Sequence, residues 1–151
     1  MNSNFNPLSA EELVSRINKI PRIRLAQLPT ALEYAPNISK ELNINLYIKR
    51  DDCTALAFGG NKTRHLEFIM AKTLSGEYDC ILTGAASQSN FCRQAVAAAN
   101  KLNLDSYLVL MHGVKGKLMQ GNFLLYNILG ANVDVVEGEN LEDIPKHLDI
   151  K

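Results

Sequence analysis

Two short stretches of this chain carry residue types that can do chemistry. The first is Gly59-Gly60-Asn61-Lys62-Thr63-Arg64, and the second runs from Thr83 to Phe91 and contains Gln88-Ser89-Asn90. In the first, paired glycines let the backbone turn sharply or approach a ligand closely. Lys62 then opens a helical pattern. A helix N-terminus is already electropositive, so its field disfavours the ammonium. That favours the neutral, nucleophilic amine needed for covalent chemistry on a carbonyl. A solvated surface lysine fits the same spacing. The GxxxxGK[ST] spacing of a nucleotide phosphate loop is absent.

The second stretch is built from small and polar residues and runs straight into a helix. Backbone N–H groups at such a start point at any anion held there. A plain N-cap at Ser89 or Asn90 fits equally well. Gly-x-Ser-x-Gly is missing and no histidine is placed for a serine triad, which argues against a hydrolase of that kind. GxGxxG is also missing, which weakens a nicotinamide reading. Three histidines are scattered along the chain. His65 falls one turn after Lys62, His112 follows an apolar strand, and His147 lies in a polar tail. Each also fits a solvent-facing or hydrogen-bonded side chain. Cys53, Cys80 and Cys92 match no zinc spacing and suggest no disulfide framework, so inert thiols in a reducing cytosol are expected.

The elements that must position these stretches follow from apolar periodicity. Ser9 and Glu12 form a capping box ahead of a helix that Pro21 closes. An extended run covers 22–28, and Pro36 starts a short helix that ends near Asn43. Strands are expected at 46–49, 80–83, 107–111 and 133–136. Helices are expected at 61–74, 89–102 and 117–129, with Asn103 left-handed after the second of these. Strand alternating with helix implies βαβ units, a parallel sheet and right-handed crossovers. The expected fold class is α/β, with helices flanking the sheet in three αβα layers. Ligands of such sheets sit outside the carboxyl ends of the strands, which selects the loops after Lys49, Thr83 and Met111.

The 151 residues suit one domain, or one domain and part of another. Sixteen basic residues balance sixteen acidic ones, for a formal net charge of +0, which argues against a nucleic-acid binder that works by neutralising phosphates. The start of the chain lacks the pattern of a secretory signal. No stretch approaches the roughly 18 apolar residues of a membrane span. No metal ligand set is expected.

With its context, the first stretch reads Lys49-Arg-Asp-Asp-Cys-Thr-Ala-Leu-Ala-Phe-Gly-Gly-Asn-Lys-Thr-Arg64, followed by Leu66-Glu67. It resembles the pyridoxal-phosphate (PLP) enzymes of the aminocyclopropane-carboxylate deaminase and D-cysteine desulfhydrase family. Gln88-Ser-Asn90 with Arg93-Gln94 is a second match, and Gln120-Gly-Asn-Phe-Leu-Leu125 with Leu129-Gly-Ala131 a third. Pro29-Thr30 with Leu32-Glu33 resembles the family's entry segment. The resemblance runs from about Arg22 to Val136.

The resemblance implies the fold-type-II architecture of the tryptophan-synthase β-subunit group. It implies that Lys62 bonds covalently to PLP and moves protons at the substrate's α-carbon, and that Asn90 hydrogen-bonds the cofactor's ring hydroxyl. Ser89 would touch the substrate carboxylate and is a candidate nucleophile in the deaminase branch. Asn61, Ser89, Asn90 and Phe91 would line the substrate site. Three departures stand out. His65 replaces a usual Lys. Phe91 replaces His or Gln, which favours D-cysteine desulfhydrase-like β-elimination slightly over ring-opening deamination. Family members are also much longer, and their remaining part supplies the phosphate loop.

On this reading, 1–44 belongs to the larger domain, 45–136 is the cofactor-facing small domain, and 137–151 begins the return to the larger one. The full-length form is expected to be a cytoplasmic homo-oligomer acting on a small amino acid. A truncated or degenerate, non-catalytic chain that needs a partner or its missing half to bind PLP is the alternative. An apolar face around Leu25, Leu28 and Leu32, left without its packing partner, would favour self-association.

Overall fold

The computed structural model describes residues 7–112 and 118–137. The capping box forms as expected: the Ser9 hydroxyl accepts from the Glu12 amide, and the Glu12 carboxylate accepts from the Ser9 amide. It opens helix α1, Ala10–Ile17. Strand β1, Leu32–Tyr34, leads into α2, Pro36–Leu42, whose C-cap Asn43 is left-handed. Strand β2 is Tyr47–Lys49. Then follow α3 (Lys62–Ser75), β3 (Cys80–Ala86), α4 (Asn90–Lys101), β4 (Asp105–Met111), α5 (Gly121–Ile128) and β5 (Asn132–Val136). Asn103 is left-handed, as expected. The fifth helix begins at Gly121 and not at the expected 117, because 118–120 are non-helical and Gln120 is an extended N-cap; position 117, the histidine His147 and the tail 138–151 lie outside the described residues.

Strands β3, β4 and β5 form the parallel sheet in that order, with Cys80 opposite Asp105 and Tyr107 opposite Asn132. Two successive right-handed crossovers moving in one direction put α4 and α5 on the same face. The buried residues agree. Cys92 and Val96 of α4 and Phe123 and Tyr126 of α5 pack on Leu108 and Leu110 of β4. Helix α3 lies beside α4, with Leu66 and Met70 against Ala95, Ala98 and Ala99. Burying a side chain such as Leu66 or Met70 stabilises by about 1.5–3 kcal/mol. From Cys92 to Ala99 every residue of α4 is buried, which the run of alanines permits because small side chains let neighbours approach on all sides. The α/β class with a parallel sheet and flanking helices is therefore the architecture found.

One strand sits elsewhere. The expected 46–49 strand does not open the parallel sheet. Tyr47–Lys49 pairs antiparallel with Leu32–Tyr34, in a separate two-stranded ribbon. All three of its residues are exposed, whereas a parallel strand is covered on both faces. Its partner β1 had no strong strand pattern of its own, being three residues closed by Pro36. The rings of Tyr34 and Tyr47 meet across the ribbon at 5.3 Å.

The extended run before β1 also differs from expectation. Leu25 does not join an exposed apolar face. It is 5% exposed and belongs to the core with Leu66 and Met70, while Leu28 is half-buried and Leu32 is 62% exposed. The cause is Glu67, fully buried on α3. Its carboxylate accepts from the amides of Leu25 and Ala26, each at 2.9 Å, and from the Arg22 guanidinium. The Glu67 carbonyl takes the Ile23 amide at 3.0 Å. Burial alone would raise the Glu67 pKa, but the two amides and Arg22 outweigh it and hold the carboxyl below its ordinary value. Among the described residues, no helix is long and apolar enough to cross a membrane.

Candidate active site

Helices α3, α4 and α5 present their N-terminal ends at one edge of the fold, and their first turns are tied together through α4. Helix α3 lacks a side-chain cap of its own. Gln94 of α4 supplies one, because its Oε1 accepts from the Thr63 amide at 2.8 Å and from the Thr63 hydroxyl at 2.7 Å. Helix α5 also lacks a cap of its own. There Gln88, just before α4, supplies its Oε1 to the Asn122 amide at 2.9 Å and donates from Nε2 to the Gln120 carbonyl at 3.0 Å. Each cap satisfies an N–H that a helix start would otherwise leave open.

The two glycines that precede these caps are explained by them. Gly60 has φ +130, and a Cβ there would lie 2.5 Å from Gln94 Nε2. Gly121 has φ +55, and a Cβ there would lie 2.6 Å from Gln88 Oε1. The positive φ favours a residue without a side chain at both positions, and a Cβ there would have to displace the capping glutamine.

The loop that carries Lys62 reaches this edge without being a strand-end loop of the parallel sheet. Arg93, buried in α4, donates to the carbonyls of Ala57 and Gly59 and draws that loop in. Burial pushes the Arg93 guanidinium below its ordinary range. Behind it, Thr54 Oγ1 donates to the Gly60 carbonyl at 2.8 Å and accepts from the Gly60 amide at 2.9 Å. Arg64 pairs with Asp51, whose carboxyl that guanidinium holds below the usual carboxylate range.

At the start of α4, Ser89 is the N-cap, and its Oγ accepts from the Cys92 amide at 3.2 Å. The Ser89 carbonyl accepts from the hydroxyl of Tyr126 at 2.8 Å. Burial pushes the Tyr126 phenol well above its ordinary range. Of the amides expected to hold an anion, that of Ser89 is used on the Ala86 carbonyl. Those of Asn90 and Phe91 have no acceptor among the described residues.

The site residues expected from sequence thus fall in distinct places. Lys62, Ser89 and Asn90 lie at adjoining helix starts. The Lys62 amine makes no hydrogen bond or ion pair with any described residue. Asn61 precedes α3 and is exposed. Phe91 packs its half-buried ring against the core that contains Leu66 and Ala95. His65 is exposed. His112 follows β4 with its ring edge on Phe123 and a buried Nδ1 that has no partner among the described residues. Sequence reasoning left Gln88, Arg93, Gln94, Asn122 and Tyr126 without individual roles. A signal existed for Arg93 and Gln94, since two long polar side chains interrupt an otherwise small and apolar helix.

Comparisons with known proteins agree with this geometry. The family described as "Pyridoxal-phosphate dependent enzyme" matches residues 23–148. A Pyrococcus horikoshii protein named "Putative 1-aminocyclopropane-1-carboxylate deaminase" is 38% identical over 137 residues, which is 90% of this chain and 41% of that protein. The D-cysteine desulfhydrase of Klebsiella pneumoniae is 39% identical over 128 residues, 82% of this chain and 39% of its own length. A crystal structure of an ACC deaminase homologue superposes with a TM-score of 0.86 at 36% identity, covering 94% of this chain and 43% of the other. The chain therefore spans about two fifths of the length of the relatives it matches. With a family match over most of its residues and the same fold in a solved relative, this chain belongs to the pyridoxal-phosphate dependent enzymes.

Proposed function

We propose that this chain carries the lysine-bearing part of a PLP-dependent lyase or deaminase acting on a small amino acid. D-cysteine desulfhydrase-like β-elimination is favoured over aminocyclopropane-carboxylate deamination. The observation that carries the reading is the Lys62 amine, without a partner among the described residues and held at a helix start that Gln94 ties to the start of α4. The donor set fits an anionic aldehyde cofactor. It comprises the Lys62 amine, the amide N–H groups of Asn90 and Phe91, and the side-chain NH2 of Asn90, none of which has a partner among the described residues.

Bound there, PLP would accept the electrons of the bond broken at the substrate's α-carbon. Lys62 would bond to the cofactor aldehyde carbon and, once displaced by the substrate amine, take or return the proton at Cα. Asn90 Nδ2 would donate to the cofactor's ring oxygen. The Asn90 and Phe91 amides, with the positive end of α4 behind them, would hold the substrate carboxylate. The Ser89 hydroxyl would donate to the same carboxylate, and it is the candidate nucleophile if the substrate is a cyclopropane. Asn61 would border the substrate beside Lys62. This reading includes a homo-oligomer for the full-length form and a cytoplasmic location, with which the free thiols of Cys53, Cys80 and Cys92 are compatible.

The test is borohydride reduction in the presence of PLP, followed by peptide mass mapping. The expected product is a stable adduct on Lys62. An adduct at the same site in Lys62→Ala, or none in the wild-type protein as its source makes it, would overturn the reading.

A further inference from the structure

Asn90 is exposed, yet its carboxamide is fixed in one orientation. Its Oδ1 lies 3.3 Å from Arg93 Nη2 and 2.9 Å from Asn122 Nδ2. Which of the two Asn90 atoms faces these partners follows from the partners alone. A guanidinium only donates. Asn122 Nδ2 also lies 2.8 Å from the carbonyl oxygen of Gln88, which only accepts, so that end of the Asn122 amide is its NH2. Two donors converge on one atom of Asn90, and that atom must be the oxygen. The Asn90 NH2 consequently points away from both partners and has no acceptor among the described residues.

We propose that Asn122 and Arg93 are positioning residues that force Asn90 to act as a hydrogen-bond donor. The group it serves is an oxyanion on the ligand held by Lys62, such as the ionised ring hydroxyl of an aromatic aldehyde. The proposal rests on the PLP reading above and adds residues to it. Asn122 sits on α5 and touches the ligand only through Asn90. Its own amide is anchored at both ends of the residue, since Gln88 Oε1 accepts its backbone N–H and the Gln88 carbonyl accepts from Nδ2. Arg93 reaches Asn90 with the same guanidinium that holds the Ala57 and Gly59 carbonyls. One side chain thereby registers the Lys62 loop against the donor that faces the ligand.

Asn122→Asp keeps the size of the side chain but replaces its donor with a carboxylate. The carboxylate would repel Asn90 Oδ1 and turn the NH2 inward, leaving an acceptor facing the ligand oxyanion. The measurement is the absorption spectrum of bound PLP, which reports whether its ring hydroxyl is ionised or neutral. Loss of one charge-assisted hydrogen bond should raise the neutral-to-ionised ratio about tenfold. Asn90→Asp should do the same, and Asn90→Asp/Asn122→Asp should do no more than Asn90→Asp alone, because Asn122 acts through Asn90.

A folded Asn122→Asp protein with an unchanged spectrum would overturn the proposal, as would additive effects in the double variant. If Asn122→Asp fails to fold, nitrogen-15 NMR of the wild-type protein decides. The Asn90 side-chain amide protons should exchange fast without PLP and shift when it is added, while those of Asn122 stay protected throughout. The reverse pattern would overturn the proposal. Failure of the PLP reading is distinct, because there Lys62 gives no adduct and no bound-cofactor spectrum appears.

Discussion

Gln94 accepts two hydrogen bonds from Thr63, one from the backbone amide at 2.8 Å and one from the hydroxyl at 2.7 Å. Thr63 follows Lys62 directly, so this pair sets where α3 begins relative to α4. Both partners are fully buried, and no water can replace a lost bond without reopening the packing. Gln94→Leu would strand two donors, each costing about 1–3 kcal/mol. We expect urea unfolding to show a loss of about 2–6 kcal/mol. The borohydride-trapped yield at Lys62 should fall further than the stability loss explains. An unchanged unfolding midpoint would refute this.

Gly60 and Gly130 separate two costs that glycine replacement can carry. Both have positive φ, but a Cβ at Gly130 meets nothing within 4 Å, whereas one at Gly60 would run into Gln94. Gly130→Ala should cost only the backbone strain, about 1–2 kcal/mol. Gly60→Ala must also displace the Gln94 side chain and should cost about 3 kcal/mol. Equal losses in thermal or chemical unfolding would show that Gln94 yields freely.

Glu67 should make the protein acid-sensitive. Its folded pKa lies below the unfolded value, so its stabilising contribution is complete above about pH 4.3, the ordinary glutamate range. The contribution is lost as pH falls through the lowered folded value. Glu67→Gln keeps the shape but removes this titration, so its stability should vary less with pH on the acid side. Parallel acid limbs for the two proteins, measured by denaturant unfolding between neutral and acid pH, would contradict the assignment.

Tyr126 anchors the start of α4 from α5. Tyr126→Phe removes the hydroxyl that donates to the Ser89 carbonyl. That carbonyl also accepts from the Arg93 amide at 3.3 Å, so it is not left unpaired. The expected loss is therefore near the lower end, about 1 kcal/mol. A loss several times larger in calorimetry would mean that the ring packing changed as well.

Much of this was legible in the residues. Ser9 with Glu12, Pro36, Asn43 and Asn103 announced helix ends because each acts on its own backbone, within a few positions. The parallel strands could be read because buried strands show as short apolar runs, as at 107–111. What escaped was non-local. Glu67 gave no sign that it binds amides some forty positions earlier, and this bond turned Leu25 inward. The strand 46–49 could be recognised, but its partner could not, since β1 is three exposed residues with no periodic pattern. The three motifs were visible as separate strings. Their mutual capping by Gln88 and Gln94 was not, because a side chain that caps another helix leaves no spacing rule in sequence.

The antiparallel ribbon and the Glu67 clamp have a consequence for how the chain tolerates cutting. The turn at Asn43–Asn45 is exposed, while its two flanks are joined by β1–β2 pairing and by Arg50 reaching across to Glu33. The earlier flank is fastened again to α3 through Leu25, Ala26 and Arg22. A single cleavage at that turn would therefore yield a nicked protein whose two fragments stay together through a gel-filtration column and part only on denaturation.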